Sequence, residues 1–462
     1  MRAHPAGPAH ADVLSHRDPA GPPAGAAELL VLDPTIWPLT ADRDADGRLR
    51  VGGIDVVTLA AEHGTPATLF DEADFRRQCA AYRDAYAGFD VYYAGKAFLC
   101  RAVARWVAEA GIGIDVCTGG ELAVALSAGT APERIGFHGN AKSSDELEYS
   151  VKAGVGRVIV DSFTEIERLA RIATALGVTQ RVLVRVTVGV EAHTHEFIAT
   201  AHEDQKFGFS LATGAAVEAV RQVRAAGSLD LVGLHSHIGS QIFDTSGFEV
   251  SARRMVRLLA ELTAAGGPIA ELNLGGGLGI PYVPGDDPAD PVQFAGDLRR
   301  IVQAECDAVG LPVPRLAVEP GRALAGRAGV TLYEVNTVKD VDGIRTYVSV
   351  DGGMSDNIRA ALYDAEYTCV LASRASTAAP IRCRVVGRHC ESGDIVVRDV
   401  WLPADIGPGD LLAVAGTGAY CRSLASNYNH TPRPPVVAVA AGTARPIVRR
   451  ETIEDLMRTD VG

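Results

Sequence analysis

No two of the eight cysteines form a CxxC pair, and no apolar export-type leader precedes them. Scattered thiols of this kind read as reduced cysteines of a cytoplasmic protein, without a disulfide framework. No run of 18 apolar residues occurs, so no membrane-spanning helix is expected. Basic charge is also scarce. Lys and Arg number 44 against 57 Asp and Glu, a formal net charge of -13, which argues against a nucleic-acid surface with its basic stripe. The first 27 residues are rich in Pro, Ala, Gly and His and lack an apolar stretch, so 1–27 are expected to be a disordered tail.

What is present is a large apolar inventory: 462 residues, 47% of them hydrophobic and 22% charged. A chain of this length divides into two or three domains and buries a core without disulfide staples. From residue 91 onward, short runs rich in Val and Ile alternate with amphipathic stretches. The runs are VYYAG (91–95), IGIDV (112–116), RIGFH (134–138), RVIVD (157–161), RVLVRVTV (181–188), LVGLHSH (231–237), ELNLG (271–275) and RLAVE (315–319). Helices are expected between them, among others at Leu99–Ala110, Glu121–Ala128, Phe163–Leu176, Val217–Ala226 and Phe248–Ala265. Strand and helix in alternation give right-handed βαβ units and a parallel sheet. Eight such units fit a closed (β/α)8 barrel of the TIM type, with an open doubly wound sheet as the alternative.

After about residue 327 the texture changes to β-rich, turn-punctuated segments: GVTLYEVNTVKDV, RTYVSVDGG, IRCRVVGRHC, DIVVRDVWLP and LLAVAGTGAY. These predict a C-terminal, mostly antiparallel β domain over 328–462, a barrel over 70–327, and an N-terminal segment, 28–69, that contributes strands to the β domain.

A barrel of this kind carries its chemistry at the C-terminal ends of its strands. Those ends hold Lys96, Asp115, His138, Asp161, Arg185, then His235, His237 and Ser240, then Gly275, Gly276 and Gly277, and finally Glu319, Gly321 and Arg322. The glycine run lets backbone approach a ligand closely and turns N–H groups toward an anion, in the loop region where barrels commonly hold phosphate. Arg322 adds a fixed cation. Lys96, if desolvated at its strand end, is a nucleophile for an aldehyde; a plain surface lysine has the same local pattern. A carboxylate such as Glu319 beside a heteroaromatic nitrogen keeps that nitrogen protonated, or it simply pairs with an arginine. His193 with His195, and His235 with His237, are same-face pairs on strands that with Asp115 or Glu319 could bind zinc. Stacking of His237 on a flat cofactor is the better reading.

The segments YYAGKAF, DVCTGGELAVAL, HEDQKFGF, LHSHIGSQ, LGGGLGI, VEPGRALAG, VSVDGGMSDNIRAALY, HCESGD, TGAYCRSLASNYN and RPP together mark a resemblance over residues 30–455. The chain resembles the fold-type III, alanine-racemase-like decarboxylases that use pyridoxal 5'-phosphate (PLP), and among them the diaminopimelate decarboxylase family of the actinobacterial sort. The resemblance implies that Lys96 carries PLP covalently, that His237 stacks on its ring, and that Glu319 faces the pyridine nitrogen with Asp115, Glu121 and Arg185 in support. It places Ser240, Gly275, Gly276, Gly277, Gly321, Arg322 and Tyr420 around the phosphate or its neighbourhood. Arg322, Arg359, Tyr363, Glu391 and Tyr420 would bind the substrate, Glu391 facing its distal ammonium, and Cys390 would be the proton donor. Cys390 and Glu391 would enter from the partner subunit, which implies a homodimer with shared sites. No metal is implied. Taken alone, Cys390 reads equally as a buried structural thiol, Tyr363 and Tyr420 as core aromatics, and Arg359 as a charge on a helix surface.

Four alternatives stay in view: a related decarboxylase for ornithine, lysine, arginine or carboxynorspermidine, a racemase on the same fold, a PLP carrier without turnover, and a zinc hydrolase. HCESGD argues against the racemase, and the second domain argues against the carrier.

Overall fold

The computed structural model describes residues 21–190 and 205–462. The chain divides into two compact units. One comprises Gln78–Gly279 and Asp287–Leu324; the other comprises the chain up to Arg77, Ile280–Asp286 and Ala325–Gly462.

The first unit is a closed parallel barrel of eight strands: β1 (Asp90–Ala94), β2 (Gly113–Val116), β3 (Ile135–Phe137), β4 (Arg157–Val160), β5 (Gln180–Thr187), β6 (Leu229–His235), β7 (Glu271–Asn273) and β8 (Arg315–Val318). Each pairs with the next, and β8 pairs with β1 to close the ring. All eight runs read from the sequence form these strands, and closure excludes the open doubly wound sheet. The runs are continuous Val, Ile and Leu because a barrel strand is covered on both faces. The helix read as Phe163–Leu176 has those bounds, and the other four lie within two residues of theirs at each end.

Local chemistry sets where the helices begin and end. Ser143 opens the helix Ser144–Ala153 with a capping box to Glu146, and Gly154 closes it in the left-handed conformation. Ser162 and Gly177 do the same for Phe163–Leu176, with a side-chain cap to the Glu165 N–H. At the N-terminal end of the barrel, Arg157 of β4 forms a two-pronged pair with Glu271 of β7, both contacts at 2.6 Å. That fork braces strands from distant parts of the sequence at the floor, away from the strand ends that carry chemistry.

The second unit is built on a mostly antiparallel sheet. Strand Gly329–Val341 is its spine, pairing antiparallel with Arg345–Val350, Leu411–Ala415 and Ala67–Asp71. Pro380–Val386 and Ile395–Pro403 extend it on one side, and Val436–Ala440 with Thr443–Val448 on the other. The contribution from before the barrel is strand Ala67–Asp71 and the small sheet of Asp42–Arg43, Leu49–Val51 and Ile54–Asp55. Its core joins Ile36, Trp37, Leu49 and Leu69 to Val330, Leu332, Val437 and Val439. Among the described residues no helix is long and apolar enough to cross a membrane.

Candidate active site

The ends of β1 to β8 bring most of the barrel candidates into one cluster. Lys96 lies on the short turn Gly95–Ala97 directly after β1, and its charge acts on Asp115, Cys117, Glu121 and His237. The desolvation expected for this lysine is not found: Lys96 is exposed. It lies on the turn beyond the strand end, among nearby charges. Gly95 lets this turn pack closely, because a Cβ there would lie 2.8 Å from the Asp115 carbonyl oxygen.

Glu319, 8% exposed, stands at the centre of the strand ends. Its Oε1 accepts from Asn273 Nδ2 at 2.6 Å and lies 3.1 Å from His138 Nε2; its Oε2 lies 3.2 Å from His235 Nε2. Burial works against ionisation here, but the two histidines outweigh it and hold the carboxyl well below the usual range. Asp115 shows the opposite result. Burial and the nearby Glu319 push its carboxyl up to about 7, although His138 Nε2 is 3.5 Å away. Its Oδ2 is buried without a hydrogen-bond partner among the described residues.

Burial holds His237 well below its ordinary value, aided by the charges of Lys96 and Arg185, so its ring is neutral; Nδ1 accepts from the Gly276 N–H at 3.3 Å. A neutral, fixed ring suits stacking on a flat heteroaromatic. Arg185, nearly buried, lies with its guanidinium carbon 4.5 Å from the centre of the Phe207 ring and 3.8 Å from Asp161. Asp161 also accepts from the Gly208 N–H at 2.6 Å. Glu121 caps the turn before its own helix, accepting the Cys117 N–H at 2.6 Å.

The loop after β7 is held by backbone approaches that only glycine allows. A Cβ at Gly275 would lie 2.5 Å from the Ser236 carbonyl oxygen, one at Gly276 2.1 Å from that of Glu319, and one at Gly277 2.6 Å from that of Gly239. Beside it, Arg322 donates to Ser240 Oγ at 2.9 Å. Gly321 packs against β1, where a Cβ would sit 3.0 Å from that of Ala94.

The candidates of the second unit sit as follows. Arg359 opens the helix Arg359–Tyr363 and is 5% exposed, which rules out a helix-surface charge. Its guanidinium carbon lies 4.8 Å from the Tyr282 ring centre and 5.5 Å from that of Tyr367, and it donates to the Tyr367 hydroxyl. Among the described residues no carboxylate pairs with it, and its charge is met by the two ring faces and the Tyr367 hydroxyl. Tyr363 is half-buried. Cys390 is exposed, so it is not a buried structural thiol. Glu391 accepts from the Tyr428 hydroxyl at 2.5 Å. Tyr420 is half-buried, with φ 61, in the left-handed region that a non-glycine residue rarely adopts.

His389, Asp394 and Asn273 were not singled out from the sequence, and His138 and His235 were named there without the role that follows. His389 and Asp394, at the two ends of HCESGD, pin the loop that presents Cys390 and Glu391. Asp394 accepts the N–H groups of His389 at 2.7 Å and Met354 at 2.6 Å, and His389 bridges Ser355 and Asn429. In the barrel, Asn273 and the pair His138 and His235 surround Glu319. His193 and His195 lie outside the described residues. The ligating atoms of His138, His235 and Glu319 lie within 4.8 Å of one another.

Compared with known proteins, residues 72–326 match the family described as pyridoxal-dependent decarboxylase, pyridoxal binding domain. The diaminopimelate decarboxylase of Mycobacterium tuberculosis is 59% identical over 444 residues, covering 94% of this chain and 99% of its own. That of Mycobacterium leprae is 55% identical over 471 residues and covers all of both chains. The crystal structure of diaminopimelate decarboxylase from M. jannaschii in complex with L-lysine superposes with a TM-score of 0.86 at 32% identity, covering 92% of this chain and 98% of that one. The chain therefore belongs to the pyridoxal-dependent decarboxylases, within the diaminopimelate decarboxylase family.

Proposed function

We propose that this chain decarboxylates meso-2,6-diaminopimelate to L-lysine and carbon dioxide, the last step of lysine biosynthesis, with PLP carried on Lys96. The observation that carries the reading is the ionised, buried Glu319 at the centre of the strand ends, with Lys96 beyond β1 and the Arg322–Ser240 pair beside the glycine loop. The donor set suits the cofactor. Glu319 would serve a pyridine nitrogen, Arg322 with Ser240 a phosphate, the neutral His237 ring a flat face, and the Lys96 amine an aldehyde. When bound, PLP supplies an electron sink for the pair left behind by the departing carboxylate.

The chain's own residues perform the remaining work. Lys96 would hold the cofactor through its side-chain amine. Glu319 would face the ring nitrogen and favour its protonated form. Arg322 and Arg359 suit the carboxylate that is kept, since a guanidinium fork matches a carboxylate in two places. Glu391 suits the distal ammonium. Cys390 delivers a proton to the carbon that lost its carboxylate. Cys390 is exposed and Glu391 half-buried on a loop pinned by His389 and Asp394, an arrangement suited to a homodimer in which a partner subunit completes each site.

Measured carbon dioxide release from meso-diaminopimelate, L-ornithine, L-lysine and L-arginine tests the reading. Release from meso-diaminopimelate, dependent on added PLP, is the expected result. Preference for ornithine, lysine or arginine would assign the chain to a related decarboxylase.

A further inference from the structure

What Glu319 does for a ring nitrogen depends on its charge, and two buried histidines stand beside it. His138, the residue after β3, puts Nε2 3.1 Å from Glu319 Oε1 and 3.5 Å from Asp115 Oδ1. The nitrogen lies between the two oxygens without the straight geometry of a hydrogen bond to either. All three side chains are under a tenth exposed: 8% for His138, 6% for Asp115 and 9% for Glu319. Two carboxylates this close to one point in a dry interior do not both ionise without a counter-charge.

His235 is the other candidate for that counter-charge. Its ring meets the His138 ring edge-on, 4.9 Å between centres, and two imidazolium ions so close and so buried would repel. Only one of them carries the charge. His138 faces two carboxylates and His235 faces one. His235 has a single partner for Nε2, the Glu319 carboxylate, while its Nδ1 is buried without a partner among the described residues. That pattern is a neutral ring protonated on Nε2. The electrostatic balance agrees. Burial lowers His138, but Glu319 and Asp115 overcome it and raise it to about 9; burial lowers His235 to about 4. Lys96, Arg185, His237, Cys117 and Tyr92 also act on the cluster, and Arg185 is balanced by Asp161.

We propose that His138 is a positioning residue which, as an imidazolium bridging Asp115 and Glu319, keeps Glu319 ionised opposite the ring nitrogen of the cofactor, while His235 stays neutral and donates to Glu319. The proposal rests on the PLP reading above and adds the source of the carboxylate's charge. Without the imidazolium, Asp115 and Glu319 share a proton, and Glu319 is fully ionised only at higher pH.

The test uses pyridoxamine 5'-phosphate, which forms no bond to Lys96, titrated into the cofactor-free full-length protein between about pH 6.5 and 8.5, a span around ordinary histidine values. His138→Gln is expected to bind about tenfold or more weakly than wild type at the acid end, with the gap narrowing as pH rises. Adding Asp115→Asn to His138→Gln should restore part of the acid-end binding, because it removes the competing anion. A loss equal at every pH, or no rescue by the second change, overturns the proposal and leaves the PLP reading standing. Failure of the wild type to bind either pyridoxamine phosphate or pyridoxal phosphate sinks the PLP reading itself. A second measurement needs no variant: in 15N-histidine NMR of the wild-type chain, one ring should remain an imidazolium above about pH 8 and another remain neutral below about pH 6. If every ring titrates near its ordinary value, the proposal is wrong.

Discussion

Arg322 donates to Ser240 Oγ at 2.9 Å, joining the loop after β8 to the loop after β6 on either side of Gly275–Gly277. The arginine is 7% exposed, so its position is fixed before any ligand arrives. Replacing Arg322 with Ala is expected to weaken PLP binding roughly 30-fold or more, the scale of a lost buried charge partner. Ser240→Ala removes only a neutral hydrogen bond and should cost about tenfold or less. Titration of cofactor-free protein with PLP measures both, and equal losses would mean that Ser240 is the main anchor.

Lys142 and Glu165 form a buried pair at 2.7 Å, with side chains 1% and 2% exposed, and Lys142 also donates to the carbonyls of Gly139 and Ile159. Glu165 in turn lies 3.4 Å from the Asp161 N–H, below the Asp161–Arg185 contact. Lys142→Met strands the carboxylate and should destabilise the chain by about 3–5 kcal/mol. The double change Lys142→Met with Glu165→Leu should recover most of that loss. Denaturant midpoints for the single and double variants check the sign and the recovery.

The histidine cluster also sets a pH dependence for the cofactor-free protein. His138 is raised to about 9 in the fold, so its stabilising contribution is complete below its ordinary value and is lost as pH rises through about 9. Asp115, pushed up to about 7, loses its contribution earlier, as pH rises from the ordinary carboxylate range to about 7 and its buried carboxyl must ionise. His235, lowered to about 4, acts the other way: the unfolded chain takes up its proton first, so stability falls as pH drops from the ordinary histidine range toward 4. Urea midpoints should decline as pH rises from about 7 through about 9, the His138 limb, while below that range the Asp115 and His235 contributions oppose each other. His138→Gln should lose its share of the alkaline limb, and an unchanged limb would contradict the assignment.

The loop that offers Cys390 depends on two anchors behind it. His389→Ala removes the bridge between Ser355 and Asn429. It should lower kcat severalfold while PLP stays bound, because the thiol loses its fixed position. Cys390→Ala should slow turnover further, again with the cofactor in place. Steady-state rates alongside cofactor absorbance separate these outcomes from simple unfolding.

The barrel was legible in the sequence because covered parallel strands are unbroken runs of Val, Ile and Leu with a polar residue at the end. That same regularity led to Lys96, Glu319 and Arg322. The roles of His138, His235 and Asn273 were not legible, although two of them stood in plain view at strand ends. Their chemistry exists only after closure brings β3, β6, β7 and β8 around Glu319, and no local spacing encodes that meeting. Arg359 is similar: NIRAALY reads as an ordinary helix surface, and burial comes from Tyr367 and from Tyr282, which is 77 positions earlier in the numbering. The exposure of Lys96 was one of the two readings its local pattern allowed, and burial could not be read from the sequence because it depends on the turn Gly95–Ala97 after β1.

Borohydride reduction of the PLP-loaded protein, followed by proteolysis and peptide mapping, tests the central assignment most directly. The expected result is one stable pyridoxyl label, on Lys96 in the peptide YYAGKAF. A label on another lysine, or none on a protein that still releases carbon dioxide, would contradict it.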